Sequence, residues 1–163
     1  MQYQKLAELY AKLEQTPKRL KKTFFLAQFL KTCPREDLKN ITYLIQGRVF
    51  ARADDRKLGM SSKLLVKAIA QATGETTETV EQEWKTRGDL GLATEAFLNK
   101  KKQRTLFSQT LTIKKVTENI TKLTTLEGEG TVQRKIALIA QLISSATPLE
   151  AKFIPRTVTE ELR

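Results

Sequence analysis

The chain of 163 residues has no histidine and one cysteine, Cys33. The first absence removes imidazole acid–base catalysis and zinc sites of the Cys/His type, and the second removes any internal disulfide. Without cross-links, and in the reducing intracellular setting this usage fits, the chain must hold its shape through a packed core. Glycine and proline are sparse at 7 and 4, so each reads as a turn or helix boundary rather than as part of a flexible stretch. Long apolar runs are also missing. The N-terminal MQYQKLAELYAKLEQ is interrupted by polar residues throughout and reads as an amphipathic helix, neither a signal peptide nor a membrane span. Strand-like alternation is nearly absent, and the expected fold class is all-α.

What the chain does have is positive charge. Lysine and arginine outnumber acidic residues 29 to 18, a net +11, and they are spread along the sequence rather than gathered in a tail. A distributed excess favours a polyanion such as nucleic acid over a lipid surface. With 40% hydrophobic content the length suits one compact domain.

Leu6, Leu9, Tyr10 and Leu13 recur at helical spacing until Thr16 and Pro17 interrupt them. A second helix is expected over 17–32, with Leu20, Phe24, Ala27, Phe29 and Leu30 as its buried stripe and Lys18, Arg19, Lys21 and Lys22 in a charged early turn. Pro34 opens a third segment carrying Leu38, Ile41, Tyr43, Leu44 and Ile45. The polar loop 51–57 sets Asp54 and Asp55 between Arg52 and Arg56, which reads as local charge balancing rather than a metal site. Helices are expected at 62–73, closed by Gly74, and at 77–87, closed by Gly88, with a short extended piece within 106–116.

The segment LGMSSKLLVKAIAQATG places Gly59 and two serines directly before an amphipathic helix. Glycine reaches backbone angles closed to other residues, and Ser61 or Ser62 is a good N-cap. The first free N–H groups of that helix would then point outward beside Lys63, an arrangement that attracts anions. Taken alone, the segment also reads as an ordinary capped helix, since most such caps bind nothing.

The two ends of the chain repeat one another. The run Lys21-Lys22-Thr23-Phe24-Phe25-Leu26-Ala27-Gln28-Phe29-Leu30 matches Arg134-Lys135-Ile136-Ala137-Leu138-Ile139-Ala140-Gln141-Leu142-Ile143 in charge and apolar pattern at constant offset. The order continues through Pro34 and Pro148, then through Tyr43-Leu44-Ile45 and Phe153-Ile154-Pro155. This predicts two pseudo-symmetric helical layers packed into one domain, the second ending before an equivalent of the Gly59 turn.

LGMSSKLLVKAIAQATG with GDLG, KKKQRTLFSQTLTIKKV, GEGTVQRKIALIAQLI and AKFIPRTVTEELR, in that order, resemble the N-terminal DNA-binding domain of archaeal and eukaryotic replicative-type ATP-dependent DNA ligases. The resemblance spans nearly the whole chain and implies an all-helical domain that grips the minor groove of nicked duplex DNA through paired turns. It assigns the first grip to Gly59, Met60, Ser61, Ser62 and Lys63. The second falls on 157–163, including Thr157, Thr159 and Arg163, although Glu160 and Glu161 stand where glycine or a basic residue is usual. Pro155 also departs from the pattern and is expected to kink the last helix. Such contacts run through backbone N–H groups and phosphates and read no sequence.

The resemblance further implies a sliding-clamp box at Gln103, Arg104, Thr105, Leu106 and Phe107, where an amide handle and an apolar plug would engage a clamp pocket. Leu106 and Phe107 read equally as core residues behind a solvated lysine run. No lysine has the K-x-D-G context in which ligases of this kind form their AMP adduct, so ATP and magnesium are expected only for catalytic domains outside the chain. The chain is therefore expected to be a non-catalytic, monomeric, nucleoid-associated domain, incomplete at its C-terminus, whose partners are nicked DNA, the sliding clamp and the remaining ligase domains. The alternative is a helical adaptor that mainly docks the clamp.

Overall fold

The computed structural model describes residues 1–100 and 110–162. The described residues form nine helices and no strand, an all-α fold: α1 (Tyr3–Glu14), α2 (Arg19–Lys31), α3 (Leu38–Ile45), α4 (Ser62–Thr73), α5 (Thr77–Arg87), α6 (Leu90–Lys100), α7 (Ile113–Lys122), α8 (Thr131–Ser145) and α9 (Pro148–Val158). Among the described residues no helix is long and apolar enough to cross a membrane.

Local chemistry fixes the boundaries expected from sequence. Ser61 and Thr76 accept hydrogen bonds from Leu64 N–H and Thr79 N–H at the starts of α4 and α5. Gly74 and Gly88 close those helices in the left-handed conformation, at φ 79° and 71°, where a side chain would be strained. The expected extended piece is a single antiparallel bridge between Gln2 and Thr112, with Tyr3 N–H donating to the Leu111 carbonyl.

The core is built around two close helix pairs, α6 with α9 and α4 with α8. Gly91 makes the first pair possible, because a methyl there would sit 2.1 Å from the Lys152 carbonyl oxygen. Ile69, Ile139, Phe153 and Ile154 are at most 1% exposed. Burial of such side chains is worth on the order of 2 kcal/mol each. Tyr10 packs at a tilt on Phe153, ring centroids 4.8 Å apart, and joins α1 to α9.

Two expectations are corrected. α2 begins at Arg19 and has no fully buried residue: Leu20, Phe24 and Leu30 are 86%, 59% and 38% exposed, Ala27 is exposed and Phe29 half-buried. The face that meets α1 and the core carries Phe25 and Leu26 together with Phe29, the one member of the expected stripe that packs there. The third helix starts at Leu38, after a turn over 34–37. Pro155 lies inside α9, which runs on to Val158. So near the helix end, the missing N–H removes one rung and leaves the last turn intact.

Candidate nucleic-acid interface

Gly59 has φ +60°, and a methyl added to it would lie 2.6 Å from the Lys135 ammonium. The left-handed angle favours glycine, and a side chain there would also displace the flexible end of Lys135. Lys135, 77 residues away on α8, donates a 3.0 Å hydrogen bond to the Leu58 carbonyl and so fixes the entrance to the turn. Ser61 then caps α4, leaving the N–H groups of Ser62 and Lys63 without an intrahelical acceptor at the positive end of the helix dipole. Met60 is 9% exposed and anchors the turn in the core, while Ser61 and Lys63 face solvent.

Opposite this turn lies the end of α9. Glu160 N–H bonds to the Thr157 carbonyl and Glu161 N–H to the Arg156 carbonyl at 2.8 Å, a Schellman closure with Glu160 at φ 57° in the left-handed position usually held by glycine. Together the two turns line one cleft of about 480 Å³, bounded by 56–62 on one side and 158–161 on the other. Within this lining, Arg56 and Lys57 face Glu160 and Glu161, so the side-chain charges nearly cancel. Arg56 is itself engaged: it lies over the Phe50 ring and pairs with Asp54, whose carboxyl is held down to about 2 by the hydrogen bonds from Arg56. Positive potential at the cleft therefore comes from the helix start, from Lys63 beside it and from the overall charge of +11.

The structure thus brings Gly59, Met60, Ser61, Ser62 and Thr159 to one place, with Lys63 in the first turn of α4. Thr157 is different. It is 1% exposed and its hydroxyl donates to the Phe153 carbonyl, so its side chain belongs to the core and not to the cleft wall. Arg163 and the box residues Gln103, Arg104, Thr105, Leu106 and Phe107 lie outside the described residues.

Two contributors are not apparent from local sequence. One is Lys135, whose role exists only because α8 packs on α4. The other is a brace on α9: the Arg156 guanidinium pairs with Asp89 at 2.9 Å and with Glu14, and Lys152 reaches Glu14 at 2.6 Å. Asp89 also accepts from Leu92 N–H, so the GDLG sequence caps α6, admits α9 through Gly91 and anchors Arg156 at once. Glu14 and Asp89 remain partly open to solvent, so these pairs position α9 more than they stabilise it.

Fold and site together define a basic all-α domain with an open cleft between a helix start and a helix end. Residues 2–163 match the model of the family described as DNA ligase N terminus, and the chain belongs to that family. It is 44% identical over 163 residues to a DNA ligase of Thermococcus onnurineus, covering 100% of this chain and 29% of that protein. To a DNA ligase of Methanothermobacter thermautotrophicus it is 42% identical over 161 residues, covering 99% and 29%. To DNA ligase 2 of Korarchaeum cryptofilum it is 36% identical over 163 residues, covering 100% and 27%. The chain thus spans less than a third of the length of the relatives it matches.

Proposed function

We propose that this chain is the DNA-gripping part of an ATP-dependent DNA ligase, holding the sugar–phosphate backbone of nicked duplex DNA in its minor groove without reading sequence. The observation that carries this reading is the cleft in which the capped start of α4 faces the closing turn of α9, with Lys63 next to its lining in the first turn of α4. Backbone donors at a helix start suit phosphate oxygens and discriminate poorly between bases. Membership of the ligase family supports the choice of DNA as the polyanion. Because the cleft side chains nearly cancel in charge, the grip is modest, and other parts of a ligase polypeptide would supply adenylation and sealing.

The test is gel-shift titration of nicked duplexes of unrelated sequence across a salt series. Affinity is expected to fall steeply with salt, by a slope of roughly 0.9 per phosphate neutralised, and Lys63→Glu is expected to weaken binding equally on every sequence. Salt-insensitive binding, or a Lys63 variant that binds as the parent does, would remove the cleft from DNA binding.

The second part of the proposal is clamp docking through 103–107, supported by the glutamine and the apolar Leu106 and Phe107 behind three lysines. Phe107→Ala is expected to weaken clamp binding by more than about 1 kcal/mol without lowering thermal stability. A loss of stability with clamp binding intact would assign Phe107 to the core.

A further inference from the structure

Lys135 stands apart from the other cations that order this fold. Where Arg56, Arg87, Lys152 and Arg156 meet carboxylates, the Lys135 ammonium lies within ion-pair distance of no carboxylate among the described residues. Its hydrogen-bond partner there is a neutral group, the Leu58 carbonyl at 3.0 Å. The side chain is also half-buried. An ammonium carries three donors, and one carbonyl engages only one of them. Partial removal from water without a counter-charge is unfavourable, so this group is better placed beside an anion than without one.

The position of Lys135 indicates where that anion would lie. The side chain reaches across from α8, and its Nζ comes within 2.6 Å of the point that a Cβ on Gly59 would occupy. In place of a side chain, the turn thus carries a positive charge supplied by another helix. Gly59, Ser61 and Ser62 line the cleft, and Lys63 follows them in the first turn of α4. Lys63 is exposed and likewise meets no carboxylate among the described residues. Two ammonium groups without counter-ions and the positive end of the α4 dipole therefore stand around one turn. Lys135 sits beside the cleft lining rather than in it, but a duplex is far larger than a cleft of about 480 Å³ and extends over its rim. Arg134, the preceding residue, is committed elsewhere: its guanidinium donates to the Glu127 and Glu129 carbonyls.

We propose that Lys135 is a phosphate-binding residue of the cleft: while one N–H holds the Leu58 carbonyl, its other donors meet a backbone phosphate of a duplex seated on the Gly59 turn. A lysine suits both tasks, because its ammonium is a compact point charge that fits the space a glycine leaves open, where a planar guanidinium is larger. The proposal rests on the reading of the cleft as a DNA grip. To that grip it adds a contact from α8, so that the phosphate site spans two helices that meet only in the fold.

The experiment is the salt dependence of nicked-duplex binding by the parent chain, Lys135→Met and Lys135→Arg. Each phosphate neutralised contributes roughly 0.9 to the slope of log affinity against log salt. Lys135→Met is therefore expected to bind more weakly with a slope shallower by roughly 0.9, its deficit shrinking about threefold for a fourfold rise in salt. Lys135→Arg keeps the charge and is expected to keep the parent's slope, even where its bulk lowers affinity. A residue that only shapes the turn would lower affinity at unchanged slope, and that result for Lys135→Met would overturn the proposal. An independent readout requires no variant to fold. In the parent chain, saturating duplex is expected to slow acetylation of Lys135 by an amine-reactive ester at least as much as that of Lys63, as followed by mass spectrometry. Protection of Lys63 with none at Lys135 would overturn the proposal and leave the reading of the cleft intact. A parent chain whose binding does not depend on salt would instead remove that reading, and this proposal with it.

Discussion

Glu160 occupies a left-handed backbone conformation, φ 57°, that costs an L-residue with a side chain roughly 1–2 kcal/mol. The Schellman hydrogen bonds of Glu160 and Glu161 hold it there, and its exposed carboxylate lines the cleft facing the Gly59 turn. Glycine would adopt the same angles without the steric penalty and would take a negative charge out of the cleft. Glu160→Gly is therefore expected to raise stability by about 1 kcal/mol, partly offset by the greater freedom of glycine in the unfolded chain, and to tighten duplex binding. Thermal unfolding and gel shift of the same variant check both halves; a variant that is less stable and binds no better would show that the side chain contributes favourably where it stands. Gly59 is the converse case: glycine takes the left-handed angle there without the steric penalty, and a side chain would displace the Lys135 ammonium from the Leu58 carbonyl.

Among the elements, α9 carries the most varied chemistry. Thr147 and Glu150 form a reciprocal capping box at its start, and Thr147 also donates to the Gln4 side chain at 2.6 Å, tying α9 to α1. Burial raises the Glu150 carboxyl above its ordinary 4.5, opposed in part by the Thr147 hydrogen bonds. A carboxyl raised on folding binds protons more tightly in the folded state. Its contribution to stability thus declines as pH rises from 4.5 through the raised value. Glu150→Gln keeps an acceptor for Thr147 N–H and cannot ionise, so relative to the parent it is expected to gain stability between pH 4 and pH 7. Melting curves at both ends of that range measure this, and a variant that loses ground as pH rises would reverse the sign. The local signals of this kind were legible in the sequence: Ser61, Gly74 and Gly88 announce helix ends because caps act over a few residues. The buried face of α2 was not. A 3.6-residue pattern shows that Leu20, Ala27 and Leu30 share a stripe, but not whether another helix lies over it, and the core took Phe25 and Leu26 with Phe29 alone from the expected stripe. The burial of Thr157 was missed for the same reason, because a threonine beside a glutamate-rich end reads as solvent-facing until α9 is docked on α6.

At the scale of the whole molecule, two distant segments meet to make one cleft, and long-range contacts hold each of them: Lys135 for the Gly59 turn, and the group of Glu14, Asp89, Lys152 and Arg156 for α9. None of these groups stands in a K-x-D-G sequence. Incubated with ATP and magnesium, the chain is expected to form no covalent AMP adduct and to leave a nick open; a radiolabelled adduct that survives denaturation would show an adenylation centre that the sequence does not announce. The composition points to the class of partner proposed here because charge sums over a chain irrespective of fold. The shape of the site, in contrast, depends on pairings that span most of the sequence.

The hydrogen bond from Lys135 to Leu58 also orders events in time. A ribosome that has just delivered α4 and α5 has made every atom of the Gly59 turn but not the lysine that shapes it. That hydrogen bond can form only once α8 has emerged and docked, so the cleft is completed late in synthesis, and a chain interrupted before α8 carries the sequence of the turn without this contact.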